Sequence, residues 1–140
     1  MKKLILILLS VALTSIFAFA ATPPSTVQKA FTKMYPNAYK VNWEQEATKA
    51  WVAEFMLEER NSTATFSIYG TWLGTETIIS IYDLPMAVAE AIQTRYESWI
   101  IRDVYKTETT KHGLIYEADL KKGKRKKELA FKEDGTLIAK

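Results

Sequence analysis

Residues 24–35, PSTVQKAFTKMY, and residues 85–96, PMAVAEAIQTRY, decide the fold because the second stretch repeats the outline of the first. Each stretch begins with a proline, places apolar residues three and four positions apart, and ends with a tyrosine. This spacing is typical of an amphipathic helix that packs on a core with one face. The prolines suit helix starts, and Pro36 predicts the end of the first helix because a residue before proline avoids the α conformation.

A run of alternating apolar residues follows each helix. The apolar positions are Trp51, Ala53, Phe55 and Leu57 in the first run, and Leu114, Tyr116, Ala118 and Leu120 in the second. A period of two predicts strands with one buried face, and Asp134-Gly135 is a strong hairpin signal. The sequence therefore predicts an α+β fold of two α-β-β-β-β repeats, residues 24–82 and 83–140. They would form one eight-stranded antiparallel sheet with two helices on one face and the other face open.

The first 20 residues predict a secretory signal peptide. Lys2 and Lys3 precede an apolar run, and Ala18-Phe19-Ala20 fits the cleavage rule, so cleavage is expected after Ala20. Residues 21–140 would then be one periplasmic or secreted domain with no transmembrane segment. The alternative is a membrane anchor, but no positively charged flank follows the apolar run.

Composition removes several classes of function. The chain has no cysteine, so it has no disulfide, no thiol nucleophile and no thiolate zinc site. His112 is the only histidine, and no glycine-rich phosphate loop is present. Removing Lys2 and Lys3 lowers the net charge from +3 to +1. This low charge, together with the predicted export, argues against a nucleic-acid partner. We expect no catalytic residues, no metal and no cofactor.

Three motifs of the second half carry a family resemblance. They are Pro85-x-x-Val88-x-x-Ala91-Ile92-x-x-x-Tyr96, Tyr116-Glu117-Ala118, and Phe131-x-x-Asp134-Gly135-x-Leu137-Ile138. These motifs resemble a PepSY-like unit. The tandem, from Pro24 to Ile138, is similar to the exported proteins called beta-lactamase-inhibitor-like, PepSY-like. The resemblance implies a concave sheet backed by two helices, and a non-catalytic protein that binds or restrains other proteins.

The hairpin Tyr69-Gly70-Thr71-Trp72 departs from the family pattern, since tyrosine stands where the second half has Asp134. Tyrosine is a poor choice where a turn needs a positive φ. Large aromatic side chains with few rotamers are typical interface anchors. We therefore predict that Tyr69, Trp72 and Trp43 bind a partner. The alternative is that both tryptophans belong to the core.

A basic hairpin places six cations within seven residues. They are Lys121, Lys122, Lys124, Arg125, Lys126 and Lys127. One interpretation is contact with an anionic surface, such as lipid headgroups or polysaccharide. The other is a solvated hairpin whose lysines prevent edge-to-edge strand pairing.

These observations favour a non-enzymatic, exported protein-binding module. The resemblance suggests an inhibitor or modulator of a periplasmic or secreted hydrolase, and an exposed aromatic patch on the open face would mark it. The alternative is a binder of the envelope surface or of a small anionic ligand through the basic hairpin. An enzyme is the third hypothesis, with Glu54 and Glu117 as an acid–base pair. However, these two glutamates occupy the same place in the two repeats, so duplication explains them without catalysis.

Overall fold

The computed structural model describes residues 21–138, so the predicted signal peptide lies outside the described residues. Two helices and seven strands form this part of the chain. They are α1 (Ser25–Met34), β1 (Tyr39–Gln45), β2 (Trp51–Leu57), β3 (Arg60–Phe66), β4 (Trp72–Ile79), α2 (Met86–Arg95), β5 (Ile100–Thr109), β6 (Gly113–Lys122) and β7 (Arg125–Phe131). A short 3-10 helix, Ile81–Asp83, links β4 to α2.

The strands form one antiparallel sheet in which each strand pairs with the next along the chain. Within residues 21–138 the sheet has seven strands, so the predicted eighth strand is not confirmed. After the turn at Gly135, Leu137 makes a single bridge to Phe131, and the Ile138 N–H donates to the Ala130 carbonyl at 2.8 Å. Two such contacts do not build a strand, and the described chain ends there.

Both helices lie on one face of the sheet, which confirms the prediction. The register runs from Ala53 through Ala64, Thr75 and Glu108 to Leu114, and residues paired in this way share a face. This helix-side face carries the predicted apolar positions of β2 and β6.

Two hydrophobic clusters fill the space between the helices and the sheet. The buried members of the first are Val27, Phe31, Trp51, Ala53, Phe55, Ala64 and Phe66. Those of the second are Ile79, Leu84, Val88, Ile92, Val104, Tyr116, Ala118, Leu120, Leu129 and Phe131. Each helix contributes the apolar stripe that its sequence predicts, and each ends at the residue before its C-terminal tyrosine.

A glycine turn holds the start of each helix. A Cβ on Gly70 would lie 2.8 Å from the Thr26 carbonyl oxygen, and one on Gly135 would lie 2.4 Å from that of Ala87. Both glycines have a positive φ, of 81° and 80°. Any other residue would clash with the first turn of a helix and strain the backbone.

The opposite side of the sheet is the open face, and neither helix lies on it. Its middle is nevertheless shielded, because Val52, Thr107, Ile115 and Glu117 are all buried. No helix within residues 21–138 is long and apolar enough to cross a membrane.

Candidate functional site

The Tyr69 turn is a rigid, unstrained platform. The Ser67 hydroxyl oxygen accepts hydrogen bonds from the backbone N–H groups of Tyr69 and Thr71, at 3.2 and 3.1 Å. The positive φ falls on Gly70, so the expected backbone cost at Tyr69 does not arise. In the corresponding turn, Asp134 accepts from the Thr136 N–H at 2.9 Å, and hydrogen bonds from the Thr136 side chain and then its backbone lower the Asp134 pKa. Ser67 thus replaces the missing aspartate, and Tyr69 is left 81% exposed.

The structure does not bring the three predicted aromatic residues to one exposed surface. Trp72 and Trp43 are half-buried and pack against the first hydrophobic cluster. The Trp72 indole N–H donates to the Thr75 hydroxyl at 2.8 Å, and the Tyr35 hydroxyl hydrogen-bonds the same oxygen. Burial raises the pKa of Tyr35, although these hydrogen bonds oppose the shift. Trp43 lies edge-on to Phe31, with ring centroids 5.2 Å apart.

The basic hairpin divides its charges between the two faces of the sheet. On the helix side, three cations contact the segment that follows α2. Lys122 Nζ donates to the Ser98 hydroxyl at 2.6 Å, Arg125 lies 5.4 Å from the Trp99 ring, and Lys127 lies 5.8 Å from the Tyr96 ring. Three of the six cations therefore contact the protein's own chain on the helix side.

The remaining cations include a cross-strand pair, Lys121 and Lys126, on the open face. Both are exposed, and β7 is an edge strand of the sheet. Lysines along an edge strand discourage pairing with another chain. This placement fits the edge-protection interpretation of the hairpin.

The open face carries an unexpected row of carboxylates. Asp103 pairs directly with Asp119, and Asp119 pairs directly with Glu128. The Tyr105 hydroxyl hydrogen-bonds Asp119. Directly opposed residues have Cβ atoms about 5 Å apart, and like charges at this distance destabilise a sheet. The strand pairing thus places three carboxylates side by side on this face.

Glu76 extends this charge into the shielded middle of the open face. Its cross-strand partner is Thr107. Burial, together with the charges of Glu117, Asp119 and Glu128, raises the pKa of Glu76 to about 7. Burial and the nearby acids also raise the pKa of Tyr105. We call Glu76, Asp103, Glu117, Asp119 and Glu128 the acidic face.

One hydroxyl in this region lacks a hydrogen bond. Thr107 is 8% exposed, and its Oγ1 is buried with no partner. A buried polar atom without a partner costs roughly 1–3 kcal/mol. The atom lies on the same face as Glu76, directly across the strand pair.

Within residues 21–138, the open face does not carry the aromatic patch that would mark a docking surface. Its central aromatic residue is Tyr105, because Trp43, Trp51 and Trp72 all pack on the helix side, so the face is acidic rather than aromatic. Glu54 and Glu117 both lie on the open face, as predicted, but Glu54 is exposed and Glu117 is buried. The acidic face escaped sequence reasoning because its members come from four strands. The signal visible in the sequence was the alternation of apolar and polar residues along β6, which places Glu117 and Asp119 on the same polar face.

The chemistry available to the acidic face is that of hydrogen-bond acceptors with negative charge. Within residues 21–138, no group of three or more His, Asp or Glu residues is placed to bind a metal ion. A groove of about 180 Å³ adjoins the face. Its lining residues are Ile78, Ile79, Ile81, Ile101, Arg102, Asp103 and Val104. The groove is mainly aliphatic, so it offers apolar contact beside the carboxylates.

Solved structures from Bacteroides share this fold. A BLIP-like protein from Bacteroides fragilis is 32% identical, with 85% of each chain covered and a TM-score of 0.78. A DUF2874 family protein from Bacteroides ovatus is 28% identical, with 85% of this chain and 86% of that chain covered, also at 0.78. A Bacteroides eggerthii protein, named for a proposed periplasmic location, has a TM-score of 0.79 over 85% and 88% of the two chains. At 22% identity it shows the fold alone.

None of these three relatives is described as an enzyme. No curated protein matches the chain. The family model for beta-lactamase-inhibitor-like, PepSY-like proteins matches residues 49–139, which is most of the sequence. The chain therefore belongs to the beta-lactamase-inhibitor-like, PepSY-like family.

Proposed function

We propose that this protein is an exported, non-enzymatic module that binds another protein and inhibits or modulates a periplasmic or secreted hydrolase. Family membership supports the binding role, and the name of the Bacteroides fragilis relative points towards inhibition. The leader-like residues 1–20 support export. N-terminal sequencing of the protein from expressing cells should begin at Ala21, and an intact Met1 terminus would contradict cleavage.

The observation that carries the proposal is the presentation of Tyr69. An aromatic ring that is 81% exposed stands on a turn fixed by Ser67 and pressed against the start of α1. A rigid aromatic anchor loses little conformational entropy when it binds. Trp72 and Trp43 would contribute through their exposed edges, since most of each ring supports the core.

The internal repeat is part of the same proposal. The contact between a glycine turn and the first turn of a helix occurs at Gly70 and again at Gly135. Each half also has its own helix and hydrophobic cluster. We infer that residues 24–82 and 83–140 are duplicated units and that the first turn has diverged by acquiring Tyr69.

The test is affinity capture from an envelope extract, followed by measurement with the purified partner. The Tyr69→Ala variant should bind that partner at least tenfold more weakly than the parent protein. Tyr82→Ala is the matched control, because Tyr82 is 94% exposed on the linker before α2. Equal affinities for the parent and Tyr69→Ala would overturn the proposed site. Trp72→Ala is not suitable, since it would damage the core.

Inhibition is a separate measurement. The captured partner, if it is a hydrolase, should lose activity as the parent protein is added, and Tyr69→Ala should shift that curve to higher concentration. A hydrolase that binds the protein and stays fully active would contradict inhibition and leave modulation or assembly as the role.

The basic hairpin supports the second candidate, contact with an anionic surface. Lys121 and Lys126 are exposed on the open face, although three neighbouring cations already contact the chain itself. Binding to anionic vesicles should weaken as salt rises from 0.1 to 0.5 M, because ions screen exposed charges. Vesicle binding that Lys121→Gln/Lys126→Gln does not reduce would exclude these two lysines.

A further inference from the structure

We propose that one end of the sheet is a docking surface for an anionic phospholipid bilayer. It is the end at which β4 stops, β5 begins and the basic hairpin turns. The inference rests on the second candidate function, contact with an anionic surface, and names lipid as that surface. It does not involve the Tyr69 turn, which precedes β4 and therefore lies at the opposite end of that strand.

Several exposed apolar side chains lie at this end of the sheet. Ile81 and Tyr82, on the linker that follows β4, are 44% and 94% exposed. Ile100, the first residue of β5, is 67% exposed. The linker and β5 meet at the groove of about 180 Å³, which Ile78 and Ile81 line together with residues 101–104. Large apolar groups exposed together mark an interaction surface.

Hydrogen bonds and an ion pair hold the linker that carries Tyr82. The Ser80 hydroxyl accepts from the Tyr82 N–H at 3.3 Å, and the Asp83 carboxylate accepts from the Ser80 N–H at 3.3 Å. Arg60 on β3 pairs with the same carboxylate at 2.9 Å. A ring that is already fixed loses little conformational entropy when it binds. Tyrosine suits the boundary between water and lipid, because its ring is apolar and its hydroxyl stays hydrated.

Exposed cations stand beside these apolar side chains. Lys121 is the direct cross-strand partner of Ile100, and Lys126 is in turn the partner of Lys121 on the same face. Arg102 is exposed two residues after Ile100 and lines the groove. Anionic headgroups attract cations at a membrane surface, and apolar side chains next to those cations add the burial that strengthens binding.

The carboxylates of the open face lie further from this end of the sheet than the lysines do. Asp103, Asp119 and Glu128 form the row one step inward from Lys121 and Lys126. The hairpin turn beyond those two lysines carries further exposed cations and no acid. A surface that approaches the sheet from this end therefore meets positive charge first.

A lipid bilayer matches both parts of this surface. An anionic polysaccharide would neutralise the cations but would leave Ile81, Tyr82 and Ile100 in water. A bilayer presents phosphate groups and holds an apolar layer directly below them. The three apolar side chains come from two segments at one end of the sheet, so they can enter that layer together without a change of fold.

The experiment measures binding to sedimented vesicles, with protein purified from cells that express the full chain. The probe is vesicles of phosphatidylglycerol and phosphatidylcholine in equal parts, and the controls are phosphatidylcholine vesicles and dextran sulfate. The parent protein should bind the anionic vesicles more tightly than the neutral ones. Ile100→Ser/Tyr82→Ser should weaken binding to anionic vesicles about tenfold and leave binding to dextran sulfate unchanged, because only the bilayer has an apolar layer.

Two further variants make the test specific. Tyr69→Ser removes a ring that is 81% exposed at the other end of β4, and it should leave the vesicle affinity unchanged. Tyr82→Trp should tighten vesicle binding, since the larger ring buries more apolar area at the same interface. Absence of vesicle binding, equal affinity for the parent and Ile100→Ser/Tyr82→Ser, or an equal loss with Tyr69→Ser would each overturn the inference.

The outcomes distinguish this inference from the proposed functions. Vesicle binding that depends on Lys121 and Lys126 but not on Ile100 and Tyr82 would keep the anionic-surface role and remove the apolar contact with lipid. A protein that the parent captures and Ile100→Ser/Tyr82→Ser loses, without any vesicle binding, would assign this end of the sheet to a protein partner and overturn the inference. Failure of the Tyr69 capture would leave a measured vesicle affinity intact.

Discussion

Replacing Glu76 by glutamine should stabilise the protein at alkaline pH and remove part of its pH dependence. Glu76 has a pKa of about 7, raised from an ordinary value of 4.5, first by burial and then by Glu117, Asp119 and Glu128. The fold therefore holds the protonated side chain more tightly than the unfolded chain does. Ionisation then favours unfolding, and glutamine cannot ionise.

The sign and size follow from proton linkage. The destabilisation is absent well below pH 4.5, develops as pH rises from 4.5 to 7, and is complete above the folded pKa. Each unit of pKa shift corresponds to about 1.4 kcal/mol, so the full effect is at most about 3.5 kcal/mol. The difference in stability between Glu76→Gln and the parent should grow by roughly 2.5 kcal/mol from pH 5 to pH 8.

Urea unfolding of both proteins at pH 5 and pH 8, followed by tryptophan fluorescence, gives the four free energies of unfolding. Glu90→Gln is the control, because it removes one carboxylate from the exposed surface of α2. Its effect should stay within about 0.5 kcal/mol at both pH values. A stability difference between Glu76→Gln and the parent that does not change with pH would refute the reasoning. It would mean that burial and the neighbouring acids do not act on this carboxylate.

Three further predictions concern stability. Phe31→Ala should cost about 3–5 kcal/mol in chemical denaturation, because Phe31 is buried against four aromatic rings; a loss below about 1 kcal/mol would contradict its central place. Tyr35→Phe should cost about 1 kcal/mol by removing the hydrogen bond to Thr75, and unchanged stability would show that this bond contributes nothing net. Gly135→Ala should lower the melting temperature more than Gly123→Ala, since both have a positive φ but only Gly135 touches a helix. Equal losses would show that the contact with α2 is unimportant.

The helix-side face was predictable because its signals are local. Val27 and Phe31 repeat with the helical period, and Trp51 and Phe55 with the strand period. Each pattern assigns a residue to a face without knowledge of its neighbours. The structure buries all four residues in one cluster. The number of strands was not predictable in the same way, because the turn at Gly135 signals a hairpin but does not show how many residues beyond it will pair.

The placement of Trp72 illustrates what a local pattern leaves open. Its position after a glycine turn suits either an exposed anchor or a core residue. Pairing with Phe66 puts it on the helix-side face, where Thr75 accepts its indole N–H. Tyr69 stays exposed because the same turn presses Gly70, rather than Tyr69, against α1.

The sequence by itself determined the two helices, the strand faces and the family, since these depend on periods and motifs within short stretches. Only the tertiary structure decided that Asp103, Asp119 and Glu128 meet, although they lie sixteen and nine residues apart. Their meeting depends on the register of two hairpins and on an irregularity between Ile101 and Asp103. A shift of one residue would send a strand's side chains to the opposite face, so strand pairing, and not composition, creates the acidic face.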